Sequence, residues 1–287
     1  MSCCKQVDYH VHPDYSLDAA PDNIEQHCLK GLQLELSEIC FTPHFEVDPV
    51  RKEVDWFVRV AGTVQKMNEL HWLEQFFSDI ETARKKFSPA IKIKAGIEIG
   101  YEPGCEKSIE QVLAGFPFDF VLGSIHCLNH IAISSRKESP NFFAGTTVAQ
   151  MASKYFSLME QAVKTCLFDC IAHLDLYRRY GWLYFGDCVH SIHNNYLEVL
   201  ESIFKFMAKK NIGLEINTSG LRRGLNDLNP SEDMLSIAVR NGISLYTTGS
   251  DAHSVTELGQ GLHQAEELLT KFLCQKTTFT GRKPDQF

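Results

Sequence analysis

The stretch Asp8-Tyr9-His10-Val11-His12 places two histidines two residues apart, directly after the apolar Val7. Residues i and i+2 of a β-strand project to the same side, so the two imidazole rings lie together if residues 7–11 form a strand. Such a pair is either a pair of metal ligands or a pair of histidines in an ordinary turn. The rest of the chain decides between these interpretations, because a strand that ends in a ligand-type residue recurs along it.

Short apolar stretches alternate with helical patterns over the length of the chain. The apolar stretches predict seven strands, at residues 7–11, 39–42, 91–99, 118–124, 168–172, 212–217 and 243–248. Helically spaced apolar residues, often bounded by Pro or Gly, predict helices at residues 20–31, 61–87, 146–167, 190–210, 230–241 and 261–273, followed by a polar tail. Strands each followed by helical sequence predict a parallel sheet closed into a barrel. With no linker or composition break, we expect one domain over residues 1–287.

The composition is that of a folded globular protein, with 44% hydrophobic and 22% charged residues among 287. A formal net charge of −8 argues against a nucleic-acid groove, which usually has a basic surface. No apolar run is long enough to span a bilayer, and no secretory signal pattern is present, so we expect a cytoplasmic protein without a membrane or nucleic-acid partner. The oligomeric state stays open. Ten cysteines without a Cys-x-x-Cys pair indicate reduced thiols.

Ligand-type side chains gather at the C-terminal ends of the predicted strands. The strand ends carry His10, His12, His44, Glu98, His126, His173, Asp251 and His253, and Asp18 lies in the loop after the first strand. Barrel enzymes collect their chemistry at this face. So many imidazole and carboxylate groups in one mouth would repel each other or stay unpaired without cations. We therefore expect metal ions here, and nitrogen and oxygen ligands suit Zn, Fe or Mn.

These motifs, in their order along the chain, resemble the polymerase and histidinol phosphatase (PHP) superfamily. The matching stretches are Asp8-Tyr-His-Val-His12, Asp18, Phe41-Thr-Pro-His44, Gly96-Ile-Glu98, Gly123-Ser-Ile-His126, His173-Leu-Asp175 and Gly249-Ser-Asp-Ala-His253. Within the superfamily the chain most resembles the monofunctional histidinol-phosphatases, over nearly its whole length. The resemblance implies a distorted (β/α)7 barrel of the PHP type, with three divalent metal ions at the C-terminal ends of its strands.

The resemblance also implies a ligand set for each ion. By position, the first ion is bound by His10, His12, Glu98 and Asp251, the second by Glu98, His126 and His173, and the third by Asp18, His44 and His253. Glu98 then bridges two ions that share a water, which becomes hydroxide near neutral pH and attacks the phosphorus. The implied reaction is hydrolysis of L-histidinol phosphate to L-histidinol and phosphate, in histidine biosynthesis.

A phosphomonoester also needs cationic groups for its remaining oxygens, and the planar fork of arginine matches them. Two arginine pairs follow the fifth and sixth strands, Arg178-Arg179 and Arg222-Arg223. We expect Arg178 and Arg222 to contact phosphate, with Arg223 and Ser219 as further substrate-binding residues. Expected catalytic residues are Glu98, His253 and Asp175; the last either protonates the leaving oxygen or supports His173.

Two places depart from the family pattern. Gly100 and Tyr101 follow Glu98 where these phosphatases often carry an acid, and residues 127–134 lack the expected aromatic and acidic side chains. We expect that loop to contact the histidinol part of the substrate, so its divergence bears on the substrate and leaves the metals untouched. The alternatives are a PHP phosphoesterase for a nucleotide or sugar phosphate, a PHP-type nuclease, and a regulatory domain without turnover. The acidic charge counts against the nuclease, and the full ligand set counts against the regulatory domain.

Overall fold

The computed structural model describes residues 6–285. Its strands are β1 (Val7–Val11), β2 (Glu38–Phe41), β3 (His44–Glu46), β4 (Phe57–Val60), β5 (Thr63–Lys66), β6 (Lys92–Gly100), β7 (Phe120–Ser124), β8 (Cys127–Leu128), β9 (Ile131–Ala132), β10 (Cys170–Ile171), β11 (Gly213–Asn217), β12 (Tyr246–Gly249), β13 (Thr278–Thr280) and β14 (Lys283–Asp285). Its α-helices are α1 (Ile24–Gln33), α2 (His71–Phe87), α3 (Glu106–Gly115), α4 (Ser139–Phe143), α5 (Val148–Lys164), α6 (Arg178–Phe185), α7 (Cys188–Ser191), α8 (Leu197–Lys210), α9 (Ser219–Arg222), α10 (Glu232–Arg240) and α11 (Leu262–Lys271). Two 3-10 helices cover Pro49–Arg51 and Ile192–Tyr196.

Seven parallel strands form the barrel, in the order β1-β2-β6-β7-β10-β11-β12. The long strand β6 pairs first with β2 and then, past a break at Pro43, with β3, whose His44 lies opposite Glu98. The barrel closes where Val11 bridges Ala252 just after β12, and the His12 amide donates to the Ala252 carbonyl at 2.8 Å. The predicted (β/α)7 barrel is therefore confirmed, and its closure brings the first and last sequence motifs together.

A hairpin of β13 and β14 plugs the N-terminal end of the barrel. Phe279 packs against Tyr9 and Phe120, with ring centroids 6.5 and 4.9 Å away, and its amide donates to the Tyr9 hydroxyl at 2.8 Å. All three rings are fully or nearly fully buried, and burial of one such side chain stabilises the fold by about 1.5–3 kcal/mol. The predicted polar tail is thus an ordered element, which leaves the C-terminal end of the barrel as the open one.

The predicted helix at residues 61–87 is correct only in its second part. The hairpin of β4 and β5 precedes α2, which begins at His71. Its turn consists of Ala61 and Gly62, both with positive φ, at 48° and 81°. The valines and threonine around this turn favour strands, and two residues with positive φ form the turn that matches strand twist. Likewise, the predicted helix at 190–210 is divided into α7, a 3-10 turn and α8.

The described part of the chain contains eight of the ten cysteines, all of them free thiols. Cys3 and Cys4 lie outside the described residues. Over residues 6–285, no helix combines the length and the apolar character needed to cross a membrane.

Candidate metal centre

The nine predicted metal ligands meet at the open, C-terminal end of the barrel. They are carried by the ends of strands and the loops that follow them: His10, His12, Asp18, His44, Glu98, His126, His173, Asp251 and His253. All of them except His10 and His12 line a pocket of about 430 Å³. These two lie beneath the pocket and are fully buried. The structure thus brings together every ligand residue that the sequence predicted.

Glu98 lies at the centre of the cluster, and its two carboxylate oxygens face different histidines. Oε2 lies 3.3 Å from Nε2 of His10 and 3.5 Å from Nε2 of His12. Oε1 lies 3.1 Å from Nε2 of His126 and 2.9 Å from Nε2 of His173. A carboxylate whose oxygens face two separate sets of imidazole nitrogens is placed to bridge two metal ions.

Asp251 completes the group around His10 and His12. Its Oδ1 lies 3.4 Å from Nε2 of His12 and 3.9 Å from Nε2 of His10. Its backbone has a φ of 54°, which residues other than glycine seldom adopt. Arg179 donates to its Oδ2 at 3.1 Å and Arg222 donates to its carbonyl oxygen at 2.7 Å. Strain that is held in this way by surrounding contacts is typical of functional sites.

Asp18, His44 and His253 form a third group nearer the surface. Oδ2 of Asp18 lies 3.5 Å from Nε2 of His44 and 3.2 Å from Nε2 of His253. The rings of His44 and His253 flank that of His12, with centroids 4.1 and 4.3 Å away, so this group adjoins the first. The side chain of Asp18 is 61% exposed, which makes it the most accessible of the nine.

Two carboxylates outside the predicted set fix the orientation of ligand imidazoles. Oε1 of Glu215 lies 2.6 Å from Nδ1 of His10, and Oε1 of Glu46 lies 2.7 Å from Nδ1 of His126. When Nδ1 carries the proton in such a pair, Nε2 presents its lone pair to the opposite side, here toward Glu98. This arrangement is typical of histidines that bind metals.

Several buried polar atoms of the cluster have no hydrogen-bond partner among the described residues. They include Nε2 of His10, Nε2 of His12 and Oε2 of Glu98. Buried polar atoms are nearly always paired, and an imidazole lone pair attracts a carboxylate only when a proton or a cation lies between them. The orphaned atoms and the donor set of imidazoles and carboxylates therefore fit divalent ions such as Zn, Fe or Mn.

Neighbouring carboxylates shift the pKa values of histidines in the cluster. Burial lowers the pKa of His10, but Glu215 and Glu98 outweigh burial and hold that pKa well above its ordinary value. In the same way, burial lowers the pKa of His126, while Glu98 and Glu46 raise it overall to about 10. These histidines therefore hold protons in competition with cations, and metal binding releases protons.

Arg179 and Arg223 line the pocket beside the metal ligands, together with Tyr180. Nη2 of Arg179 is 3.1 Å from both Ser219 Oγ and Asp251 Oδ2. Burial lowers the pKa of Arg179, and the nearby positive charge of Arg223 lowers it further. An anion placed between the two guanidinium groups would offset their like charges.

Arg178 and Arg222, the expected phosphate contacts, do not line this pocket. The side chain of Arg178 is 3% exposed and donates to Asp175 at 2.8 Å, as well as to Asp227. Arg222 donates to the Asp251 carbonyl and lies 3.4 Å from Glu257. Consecutive residues of a helix project about 100° apart, so α6 directs Arg178 and Arg179 to different surroundings.

Asp175 and Ser219 are buried beside the pocket and do not line it. The Asp175 carboxylate accepts hydrogen bonds from Arg178, from the Asn229 side chain at 2.6 Å and from the Ser231 amide at 2.9 Å. Ser219 accepts from Arg179 and therefore orients the arginine that faces the pocket. Both residues thus hold neighbouring groups in place.

Three features of the site were not predicted from the sequence: the roles of Glu46 and Glu215, and the orientation of Arg179 toward the pocket. Glu46 stands two residues after His44 on β3, and both side chains line the pocket, so the spacing in the sequence was a usable signal. Glu215 lies in the middle of β11, and its role is revealed only by its contacts with His10 and with the backbone amide of His173.

A family model described as PHP domain matches residues 8–219 of the chain. A probable histidinol-phosphatase of Deinococcus radiodurans is 28% identical over 261 residues, which cover 90% of this chain and 90% of the relative. The histidinol-phosphatase of Lactococcus lactis subsp. lactis is 28% identical over 287 residues, which cover 98% of this chain and 97% of the relative.

Solved structures share the fold of this chain. The crystal structure of histidinol phosphate phosphatase from Lactococcus lactis subsp. lactis, complexed with Zn, L-histidinol and phosphate, gives a TM-score of 0.81 at 26% identity and covers 98% of this chain and 99% of that one. A putative histidinol phosphatase from Listeria monocytogenes gives 0.76 at 20% identity and covers 90% and 99%. These likenesses confirm a distorted (β/α)7 barrel.

Proposed function

This chain belongs to the PHP domain family, and we propose that it hydrolyses L-histidinol phosphate to L-histidinol and phosphate as a metal-dependent phosphomonoesterase. One observation carries the proposal: Glu98 faces two sets of histidines in a pocket that Arg179 and Arg223 also line. It is supported by the Lactococcus lactis relative, which is complexed with Zn, L-histidinol and phosphate.

Three groups of side chains would hold three divalent ions, with the ligand sets expected from the sequence. Glu98 serves the first and second sets through its two oxygens, while Asp18, His44 and His253 form the third. When bound, such ions polarise phosphate oxygens and lower the pKa of a bound water toward neutrality. Glu215 and Glu46 keep the ligand imidazoles in the orientation that this binding needs.

The phosphate group would lie between Arg179 and Arg223. Ser219 and Asp251 hold the Arg179 guanidinium, and Arg223 approaches Nδ1 of His253 at 3.0 Å. Two fixed guanidinium forks match the oxygens of a phosphate dianion and resist its rotation. We therefore assign phosphate binding to Arg179 and Arg223, and treat Ser219 as the residue that positions Arg179.

Among the predicted catalytic residues, Glu98 and His253 line the pocket and Asp175 does not. We propose that Asp175 holds the start of α6 against the segment that follows β11. Its carboxylate accepts hydrogen bonds from Arg178 on α6, from the Asn229 side chain and from the Ser231 amide. Its three hydrogen-bond donors satisfy the carboxylate where it stands.

We also propose that residues 1–287 act as a single PHP domain. The β13–β14 hairpin lies beyond the segment matched by the family model, and yet it plugs the barrel that carries the metal ligands. A role in histidine biosynthesis in the cytoplasm agrees with the eight free thiols of the described residues, since reducing compartments keep cysteines in that form.

Phosphate release from metal-reconstituted protein tests the function. L-histidinol phosphate would be compared with nucleotide and sugar phosphates, with Glu98→Gln as the inactive variant and the exposed Glu110→Gln as its matched control. We expect a preference for L-histidinol phosphate and at least about a thousand-fold loss in Glu98→Gln, because the bridging charge is removed.

Other results identify other activities. Hydrolysis of the nucleotide or sugar esters alone would contradict the assignment to L-histidinol phosphate and leave a PHP phosphoesterase of different substrate. Retention and cleavage of single-stranded DNA would indicate a nuclease. Bound metal without any hydrolysis would indicate a regulatory domain.

A further inference from the structure

Gly100 on β6 lies directly opposite Glu46 on β3. A Cβ atom at position 100 would lie 2.6 Å from the carboxylate carbon of Glu46, 2.7 Å from its Oε1, and closer still to its Oε2. The Glu46 carboxylate therefore occupies the space into which any side chain of residue 100 would project. We infer that Gly100 is a positioning residue of the metal centre, because its lack of a side chain lets Glu46 reach His126 from the neighbouring strand.

The register of β3 and β6 explains why the two positions compete for one space. His44 lies opposite Glu98, and two residues further along each strand Glu46 lies opposite Gly100. Residues two apart on a strand project to the same side, so positions 46 and 100 face the pocket as the ligands His44 and Glu98 do. A carboxylate can therefore be carried to this place from either strand.

The carboxylate of Glu46 acts on the metal centre through His126. Its Oε1 lies 2.7 Å from Nδ1 of His126, and Nε2 of the same ring lies 3.1 Å from Oε1 of Glu98. The side chains of Glu46 and His126 are only 15% and 10% exposed, so water is a poor substitute for the carboxylate. Loss of such a partner typically costs 10- to 100-fold in metal affinity.

A methyl group at position 100 would displace the Glu46 carboxylate and leave the strands in place. The three heavy atoms nearest to the added Cβ all belong to the end of the Glu46 side chain, which can rotate away. The backbone of Gly100 lies outside the left-handed region, so alanine fits its conformation without strain. The effect of the methyl group therefore falls on the contact between Glu46 and His126.

Position 100 is also where the chain departs from the family pattern, since these phosphatases often carry an acid there. The geometry gives the departure a physical reason: in this chain the acid stands on β3 at residue 46, and glycine at residue 100 admits it. The two positions are then alternative sources of one carboxylate. The inference rests on the metal centre of the proposed function, but its test measures metal binding and requires no substrate.

The affinity of the metal-free protein for Zn²⁺, measured in competition with a chelator, tests the pair. The variants are Gly100→Ala, Glu46→Ala, the combination of these two, and the exchange variant Glu46→Ala/Gly100→Asp. The matched control is Gly115→Ala, because this glycine is exposed at the end of α3 and an added Cβ there meets no atom within 4 Å.

We expect Gly100→Ala and Glu46→Ala each to weaken the binding of one Zn²⁺ by about 10- to 100-fold. The combined variant should bind no more weakly than Glu46→Ala alone, because the methyl group then enters the space that the carboxylate has left. The exchange variant should regain most of the lost affinity, since it returns a carboxylate to His126. Gly115→Ala should bind like the wild-type protein.

Wild-type affinity in Gly100→Ala would overturn the inference, and so would losses that add in the combined variant, because Gly100 would then act independently of Glu46. If Gly100→Ala does not fold, the exchange variant decides, and an affinity no better than that of Glu46→Ala overturns the inference. The proposed function can fail separately: a protein with the expected Zn²⁺ affinities that does not hydrolyse L-histidinol phosphate contradicts the function and supports the role of Gly100.

Discussion

Oε1 of Glu215 lies 2.6 Å from Nδ1 of His10, while its other oxygen accepts the backbone amide of His173 at 2.8 Å. One buried carboxylate therefore holds ligands from two strands that are not neighbours in the sheet. Gly249 makes room for it, because a Cβ at that position would collide with the Glu215 carboxylate and with Cβ of His10. A buried polar side chain inside the barrel thus helps to hold the ligand cluster in place.

Replacement of Glu215 by Gln should weaken metal binding without removing a ligand. The variant keeps the shape of the side chain but loses the charge that orients His10, and such changes typically cost 10- to 100-fold in metal affinity. Competition with a chelator measures the affinity, and the exposed Glu201→Gln on α8 is the control. An affinity equal to that of the wild-type protein would contradict the role given to Glu215.

Substitutions of the adjacent residues Arg179 and Arg178 should have different effects, the first on activity and the second on stability. Arg179→Gln should lower kcat/KM by about 100-fold and weaken inhibition by inorganic phosphate, because a charged fork at the pocket is lost. Arg178→Gln should instead destabilise the fold by about 3–5 kcal/mol, since it leaves the buried Asp175 without its cation. Kinetics and denaturant unfolding separate the two effects, and the reverse pattern would restore Arg178 as the phosphate contact.

Arg59 on β4 should control the third metal group through the loop that carries Asp18. Its guanidinium donates at 3.1–3.2 Å to three carbonyl oxygens of this loop, those of Asp14, Leu17 and Ala19. Arg59→Met removes these bonds, so we expect about one equivalent of metal to be lost per chain at limiting metal. Elemental analysis after gel filtration measures the content. Lys66→Met on the same hairpin is the control, and unchanged stoichiometry in Arg59→Met would refute the assignment.

The stability of chelator-treated protein should fall as the pH rises from about 6.5 to 10. Burial lowers the pKa of His126, but Glu98 and Glu46 raise it overall to about 10, above the value of about 6.5 for an unfolded histidine. A raised folded pKa means that protonated His126 stabilises the fold fully below pH 6.5 and that this contribution is lost as the pH approaches 10. Denaturant unfolding at a series of pH values measures the free energy. Glu46→Gln should flatten the curve, and a rise in stability over this window would contradict the sign.

The barrel and the ligand positions were predictable because both follow from local patterns. Apolar stretches mark the strands, and His44, Glu98 and His126 stand at or just after strand ends, where parallel strands bring side chains together. The β4–β5 hairpin was not predictable from apolar spacing alone, since Val58, Val60 and Val64 suit a helical stripe as well as a strand.

The contacts at the pocket were harder to predict than the ligands. Arg178 and Arg179 are adjacent and have the same side chain, so the sequence does not distinguish them. Only the orientation of α6 decides which one is buried against Asp175 and which one faces the pocket. The pairing of Arg51 with Glu138 joins residues far apart in the chain, so no local pattern announces it.

Closure of the barrel between Val11 and Ala252 brings together ligands that are synthesised far apart in time. Strand β1 emerges first and carries His10 and His12, but the segment with Asp251 emerges roughly ten to fifty seconds later at usual rates of translation. During that interval His10 and His12 lack the Asp251 carboxylate that completes the first binding set. The first and third groups therefore become complete only after residues 251 and 253 have been synthesised, and a chain that stops short of residue 251 lacks ligands of two of the three groups.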